Sequence, residues 1–245
     1  MTQSPVNPEE QDVLSFFPKV AYFNHSCSPS VTVEQVLSGA HLEGVVATIE
    51  DIPAGVEVTI CYRPDLLLLP RQLRQATLKD LWGFECTCER CSRQDGGDEP
   101  FLVQTNLPPA KEAEAAEMFR NLEELFKTDW DLATGQKIKA LSFLFLRILG
   151  NFHWQAIAVR KFLVEVLLTI AAYEQDPKES EKATRQVLQI VEQLFRCYAK
   201  ALPRLASSKM TLLTTYLQHG GTLEAAAKLD PSIIKVQEIF STIRK

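Results

Sequence analysis

The 245-residue sequence has no long hydrophobic run and no excess of positive charge, with 26 Lys and Arg against 31 Asp and Glu. In its most apolar region, residues 140–173, the longest uncharged stretch is residues 148–159, which has 12 residues, whereas a membrane-spanning helix needs about 20. The N-terminal residues are polar and acidic and lack the charged and apolar regions of a signal peptide. We therefore expect an intracellular chain with reduced cysteines, in which clustered thiols bind metals more often than they form disulfides.

The negative charge is concentrated in the first part of the chain. Residues 1–100 carry 7 Lys and Arg against 15 Asp and Glu, whereas residues 101–245 carry 19 against 16. An acidic surface disfavours the phosphate backbone of nucleic acids. It would suit a basic protein partner, and the simpler alternative is that it only keeps the protein soluble. We expect no direct contact with nucleic acid and none with a membrane.

The hydrophobic pattern changes along the chain. Short β-branched runs at residues 31–37, 44–49 and 56–61 predict three strands. Leucines at helical spacing predict a helix over residues 71–82, ended by Gly83. After a linker at residues 95–109, helical periodicity continues almost to the C-terminus. The paired helical segments favour a tetratricopeptide-like domain of helical hairpins over residues 110–245, although the repeat consensus is not recognisable and an irregular bundle is the alternative.

Three cysteines lie within six residues, in the run C-T-C-E-R-C formed by Cys86, Cys88 and Cys91. In a reducing compartment, three thiols at this density can converge on one tetrahedral zinc ion if a fourth ligand comes from elsewhere. Spacing alone does not identify that ligand. The candidates are the four histidines and the remaining cysteines, Cys27, Cys61 and Cys197.

Two further motifs resemble a known family. The segment F-N-H-S-C-S-P-S at residues 23–30 resembles the N-H-S-C-x-P-N signature of SET-domain protein-lysine methyltransferases. The segment A-G-V-E-V-T-I-C-Y at residues 54–62 resembles the G-E-E-L-[TC]-x-x-Y motif of that family, and the cysteine run lies where the post-SET cysteines belong. The pattern L-W-G-F-E-C at residues 81–86 is similar to the SET and MYND-domain (SMYD) subgroup. This resemblance covers residues 13–93, and beyond them only the helical character matches.

The resemblance implies an S-adenosylmethionine-dependent protein-lysine N-methyltransferase in the nucleus or cytoplasm. The acceptor would be a lysine of a histone or of another protein. In the family the Asn and His of the signature contact the cofactor, which gives this role to Asn24 and His25. Phe84 matches the aromatic residue that packs against the adenine. Tyr62 matches the tyrosine that lines the lysine channel, and it is the expected catalytic residue.

The resemblance also selects the fourth zinc ligand. It implies that Cys27 joins the three cysteines of the run, so the complete zinc set is Cys27, Cys86, Cys88 and Cys91. The other two cysteines, Cys61 and Cys197, are then expected to be buried apolar residues. The three tryptophans, Trp82, Trp130 and Trp154, are predicted to lie in the core.

The sequence also departs from the family pattern. It has no G-x-G segment, and only 23 residues precede Asn24, so we expect the N-terminal half of the SET fold and the MYND zinc finger to be missing. Ser30 replaces the last Asn of the signature, and Val56 replaces the first Glu of the second motif. With one wall of the cofactor pocket absent, we expect weak cofactor binding and little methyl transfer from the isolated chain.

The predicted fold is therefore α+β. Residues 1–94 would form a partial SET-type β-fold with a zinc-bound post-SET segment, residues 95–109 a linker, and residues 110–245 an all-α helical-hairpin domain. Two functions follow from the pattern. The first is a protein-lysine methyltransferase, and the alternative is a catalytically inactive, SET-derived, zinc-binding module that binds other proteins.

Overall fold

The computed structural model describes residues 17–38, 41–93, 107–150, 152–201 and 206–243. The N-terminal part of these ranges holds short strands and the remainder is mostly helical, so the predicted α+β class is confirmed. Most of the predicted linker, residues 95–109, lies outside the described residues. Among the described helices, none is long and apolar enough to cross a membrane.

The described strands form two small sheets. Strands β2 (Val31–Ser38) and β3 (His41–Thr48) pair as an antiparallel hairpin. Strands β1 (Asn24–His25) and β4 (Thr59–Ile60) pair in parallel. The strand predicted over residues 56–61 is therefore shortened to two residues. Its partner β1 offers only two positions for pairing, and Val56 is 54% exposed instead of lying in a ladder.

The segment that follows β1 wraps around β4. The Ser26 N–H donates to the Ile60 carbonyl at 2.8 Å, and the Ser30 N–H donates to the Thr59 carbonyl at 3.2 Å. The Ser30 hydroxyl also accepts from the Thr59 N–H at 3.1 Å. Ser30 thus satisfies both backbone groups of Thr59, which shows how serine serves at the position where the family signature has asparagine.

Helix α1 (Arg71–Trp82) has the predicted bounds. It ends at Gly83, which has a φ of +75° and donates its N–H to the Lys79 carbonyl. A residue without a Cβ adopts this left-handed conformation at little cost, so glycine is the natural end of the helix. The short helix α2 (Glu89–Ser92) lies within the cysteine run. Before α1, Pro64–Leu68 forms a 3₁₀ turn whose leucines are buried.

Among the described residues seven further helices follow, as the helical periodicity of residues 110–245 predicts. They are α3 (Pro109–Phe126), α4 (Leu132–Ile148), α5 (Trp154–Tyr173), α6 (Pro177–Ala201), α7 (Ala206–Gln218), α8 (Leu223–Leu229) and α9 (Ser232–Ile243). Consecutive helices from α3 to α7 pack against each other. This neighbour-to-neighbour packing is what an array of helical hairpins requires.

The hydrophobic periodicity predicts a helical segment over residues 136–149, and helix α4 begins four residues earlier, at Leu132. Asp131 caps it by accepting from the Thr134 N–H at 2.8 Å, which extends the helix by one turn. A Cβ on Gly135 would lie only 2.7 Å from Cζ3 of Trp130, so this glycine makes room for the indole ring. Trp130 and Trp154 are partly buried and pack against the core.

Helix α5 is the central helix of the core. Its buried side chains spread over a wide face of about half of the helix circumference, as expected for a helix packed against several other elements. It packs against α4, against α6 and against the Pro64–Leu68 turn. The buried leucines of that turn and of α1 therefore share one continuous hydrophobic core with the helices. The division of the chain into domains stays a prediction.

The residue before α5 gives a pH-dependent prediction. His153 is 8% exposed and caps the helix by accepting from the Gln155 N–H at Nδ1. Burial lowers the pKa of His153 from 6.5 to about 4. The unfolded chain therefore takes up a proton at His153 before the folded chain does. Stability should fall as the pH drops from 6.5 towards 4, by an amount on the order of 2 kcal/mol.

The substitution His153→Asn keeps a side chain that caps helices well and removes the titrating group. Urea unfolding at pH 7, 6, 5 and 4 should therefore give a flatter profile for His153→Asn than for the unmodified chain. The variant His219→Asn controls for the loss of an imidazole elsewhere in the helical part. Parallel profiles for His153→Asn and the unmodified chain would contradict the prediction.

Candidate active site and metal centre

The fold brings four thiols together. The Sγ atoms of Cys27, Cys86, Cys88 and Cys91 all lie within 4.8 Å of one another, and those of Cys27 and Cys86 are 4.0 Å apart. Zn–S bonds of about 2.3 Å in a tetrahedron place the sulfur atoms about 3.8 Å apart. Three of the cysteines are buried and Cys88 is partly buried. The donor set and its spacing therefore fit one structural zinc ion, with Cys27 as the ligand from outside the run.

A glutamine of α1 fixes the start of the cysteine run. Gln75 donates through Nε2 to the Cys86 carbonyl at 2.7 Å and accepts at Oε1 from the Cys86 N–H at 2.8 Å. The N–H groups of Cys91 and Ser92 both donate to the Cys88 carbonyl, each at 2.9 Å. The run is thus held as a compact turn. Sequence reasoning missed Gln75, since the sequence pattern gives no sign of a backbone partner eleven residues further along.

Hydrogen bonds between the neighbouring thiols shift their pKa values. The Cys27 thiol donates to the Cys86 sulfur, which raises the pKa of Cys27 and lowers that of Cys86. Hydrogen bonding from Cys27 likewise lowers the pKa of Cys88 to about 5. A cation at the centre would let all four sulfurs be thiolates, which is the form that binds zinc.

His25 connects the thiols to the predicted catalytic tyrosine. Its ring is buried, Nδ1 accepts from the Tyr62 backbone N–H at 3.1 Å, and Nε2 lies 3.3 Å from the Cys27 sulfur. Because Nδ1 is the acceptor, the neutral ring carries its proton on Nε2 and donates to sulfur. Both ring nitrogens are thus bonded within the protein. Only the backbone and the face of the His25 ring therefore remain for contact with a cofactor. The contact itself stays a prediction.

Four rings form an aromatic cluster, which comprises His25, Tyr62, Trp82 and Phe84. The Tyr62 ring centroid lies 5.2 Å from that of His25, 5.4 Å from Trp82 and 6.2 Å from Phe84. The Phe84 centroid is 6.0 Å from that of His25. The Tyr62 hydroxyl donates to the Phe23 carbonyl at 3.2 Å. Three residues predicted from the motifs therefore meet at one place, with a fourth ring that the motifs had not assigned.

That fourth ring corrects a prediction. Trp82 was expected in the core, and this is wrong, because the side chain is 40% exposed. It is the last residue of α1, and its ring packs on Tyr62 at the surface. Its position two residues before Phe84 could have suggested a place beside the same cluster.

Asn24 precedes His25 on β1 and is exposed. Its Nδ2 donates to Oε1 of Glu57 at 2.6 Å, and its backbone pairs with Thr59. A carboxamide and a carboxylate thus stand together at the exposed side of the β1–β4 pair. Glu57 was not among the predicted site residues, although the second motif contains it.

The two remaining cysteines lie outside the four-thiol cluster. Cys197 is buried on α6, as expected, and burial raises its pKa to about 11. Cys61 is only partly buried and donates its S–H to the Arg63 carbonyl at 3.0 Å. Burial raises the pKa of Cys61 to about 12, so its thiol stays protonated at neutral pH.

Comparison with known proteins finds similar sequences. The model of the SET domain family matches residues 5–63. Histone-lysine N-methyltransferase SMYD3 of Homo sapiens is 36% identical over 118 residues, which are 44% of this chain and 26% of that protein. N-lysine methyltransferase SMYD2 of Gallus gallus is 34% identical over 116 residues, covering 46% of this chain and 25% of that protein.

A further match extends into the helical part. N-lysine methyltransferase SMYD2-B of Xenopus laevis is 25% identical over 188 residues, which are 76% of this chain and 42% of that protein. The chain matches about a quarter of the length of human SMYD3 and chicken SMYD2. These findings confirm the resemblance to SMYD-like SET-domain protein-lysine methyltransferases.

Proposed function

We propose that this SMYD-like SET-domain chain is a protein-lysine N-methyltransferase that uses S-adenosylmethionine and acts on a lysine of a histone or another protein in the nucleus or cytoplasm. The observation that carries the proposal is the position of Tyr62. Its phenol donates to the Phe23 carbonyl and lies inside the aromatic cluster, and the residue follows β4 by two positions. A phenol placed in this way can orient an amine without carrying a charge at neutral pH.

The cluster suits the acceptor lysine. S-adenosylmethionine, when bound, supplies an electrophilic methyl group on a sulfonium. The attacking amine must be neutral, and the rings of Tyr62, Trp82 and Phe84 favour the neutral form because they replace water around it. The Tyr62 oxygen donates its proton to Phe23 and keeps lone pairs that can accept from the amine N–H. The amine lone pair can then be turned towards the methyl group.

The predicted cofactor residues are compatible with this arrangement. Phe84 is only partly buried although it belongs to the cluster, so part of its ring is available to stack on an adenine. Asn24 donates to Glu57 through Nδ2, which leaves its Oδ1 able to accept from a cofactor amine. The exposed Glu57 carboxylate would attract the positive charges of the methionine part.

The alternative function, an inactive zinc-binding interaction module, is favoured by one feature of the sequence. The chain contains no G-x-G segment, which is where the family holds the methionine part of the cofactor. The zinc centre and the helices would then serve only protein binding.

One experiment separates the two functions. Calorimetric titration with S-adenosylmethionine and transfer of labelled methyl groups to core histones are measured with this chain and with a form extended upstream by SET residues. In the form that transfers methyl groups, Tyr62→Phe should lower the rate about 100-fold while cofactor affinity stays nearly constant. Leu81→Ala, an exposed change next to Trp82, is the control. Absence of cofactor binding in both forms would overturn the methyltransferase and leave the interaction module.

A further inference from the structure

Two arginines are buried beside the four-thiol cluster. Arg74 of α1 has no exposed surface, and Arg90, which lies between Cys88 and Cys91 in the chain, is 8% exposed. Guanidinium groups keep their charge at any physiological pH, so these are two permanent positive charges inside the protein. Burying such a group is costly unless an opposite charge and hydrogen-bond acceptors surround it.

Both arginines have hydrogen-bond acceptors at the cluster or beside it. Arg74 donates from Nη1 to the Leu69 carbonyl at 2.7 Å, and its Nη2 lies 3.7 Å from the Cys91 sulfur. Arg90 donates from Nη1 to the Leu67 carbonyl at 3.0 Å and contacts the Cys27 carbonyl at 3.4 Å. One arginine thus reaches a ligand sulfur directly, and the other reaches the backbone of a ligand from the opposite segment.

The proposed metal centre supplies an opposite charge close to both guanidinium groups. Zinc with four thiolates carries a net charge of about −2, and a closed, mostly buried site has little water to screen it. Two guanidinium groups would balance that charge. An N–H donated to a ligand sulfur also lowers the electron density on that sulfur and holds its position.

We propose that Arg74 and Arg90 are the counter-ions of the zinc centre and set its affinity for the metal. The proposal rests on the proposed zinc site. Arg74 acts through the Cys91 sulfur, and Arg90 acts as a nearby charge that also fastens the Cys27 backbone to the Pro64–Leu68 turn. A lysine would keep the positive charge but not the pair of hydrogen bonds that a planar guanidinium group donates from two nitrogens, because an ammonium group is a point charge.

A purely structural role makes a different prediction. If Arg74 only tied α1 to the Leu69 carbonyl, Arg74→Met would destabilise the metal-free and metal-bound forms equally, and the dissociation constant for zinc would not change. If Arg74 is a counter-ion, Arg74→Met weakens zinc binding by roughly 10- to 100-fold in competition with a chromogenic chelator. The zinc affinity of Arg74→Lys should lie between that of the unmodified chain and that of Arg74→Met. Arg93→Met, an exposed charge close to the same run, is the matched control.

A second variant tests the electrostatic origin directly. Cys88→His replaces one thiolate by a neutral ligand and reduces the charge of the centre to about −1. Arg74→Met should then cost less zinc affinity in the Cys88→His background than in the unmodified chain, which is a coupling that a double-mutant cycle measures. Equal losses in both backgrounds, or unchanged affinity in Arg74→Met, would overturn the counter-ion proposal alone. An unmodified chain that binds no zinc would overturn the zinc site as well.

Discussion

Cys88→Ser should lose the bound zinc and unfold at a much lower temperature than the unmodified chain. The ligands come from two segments that are far apart in sequence, since Cys27 and Cys86 are separated by 59 residues. The strand pairing that holds the Cys27 segment is short, with two residues each in β1 and β4. Structural zinc sites supply on the order of 10 kcal/mol, so a weakened site removes the largest single contribution that holds these segments together.

The measurements are elemental analysis of the purified protein and thermal unfolding followed by circular dichroism. The unmodified chain should contain close to one zinc ion, and chelation should lower its unfolding temperature. Cys61→Ser is the matched control, because Cys61 is a half-buried thiol outside the cluster. A full zinc content in the double variant Cys27→Ser with Cys88→Ser would show that the cluster is not the metal site.

The positions of these thiols could be predicted because they depend on short-range patterns. Three cysteines at C-x-C-x-x-C spacing must lie close together whatever the rest of the chain does. The fourth ligand, Cys27, could not be chosen by spacing, and only the family signature pointed to it. Helix α1 was predictable for a similar reason, since its leucine periodicity and its terminal Gly83 are both local features.

The groups that surround the site were not predictable from the sequence. Gln75, Arg74 and Arg90 are polar residues of a kind usually exposed, and their buried partners lie elsewhere in the chain. Trp82 was misplaced because periodicity does not tell whether the end of a helix still faces the core. The length of β4 depends on its partner strand, which no pattern within residues 56–61 reveals.

The largest stability effect expected in the helical part concerns a buried ion pair. Lys209 of α7 has no exposed side-chain surface, and its Nζ lies 2.6 Å from Oδ2 of Asp230, which is 2% exposed. The Ser232 hydroxyl accepts from Lys209 at 2.6 Å and donates to Oδ1 of Asp230 at 2.7 Å. Burial lowers the pKa of Lys209, and the bond to Asp230 opposes that shift. The pair joins α7 to the start of α9.

Lys209→Met should therefore lower the free energy of unfolding by about 3–5 kcal/mol, because it leaves the Asp230 carboxylate buried without its cation. Urea unfolding at pH 7 measures the loss. The exposed pair between Lys228 and Glu224, at 2.8 Å, offers the matched control. Lys228→Met should change the free energy by no more than about 0.5 kcal/mol, since solvent screens exposed pairs.

A double variant separates the cost of the unpaired charge from the loss of the lysine side chain itself. Asp230→Asn removes the carboxylate charge and keeps an oxygen that can accept from the Ser232 N–H, as Asp230 does now at 3.1 Å. Combined with Lys209→Met, it should recover part of the lost stability, because an unpaired neutral amide costs less to bury than an unpaired carboxylate. If Lys209→Met alone costs no more than Lys228→Met, the pair does not stabilise the junction of α7 and α9. If the double variant is as unstable as Lys209→Met, packing of the lysine stem, and not its charge, holds the two helices together.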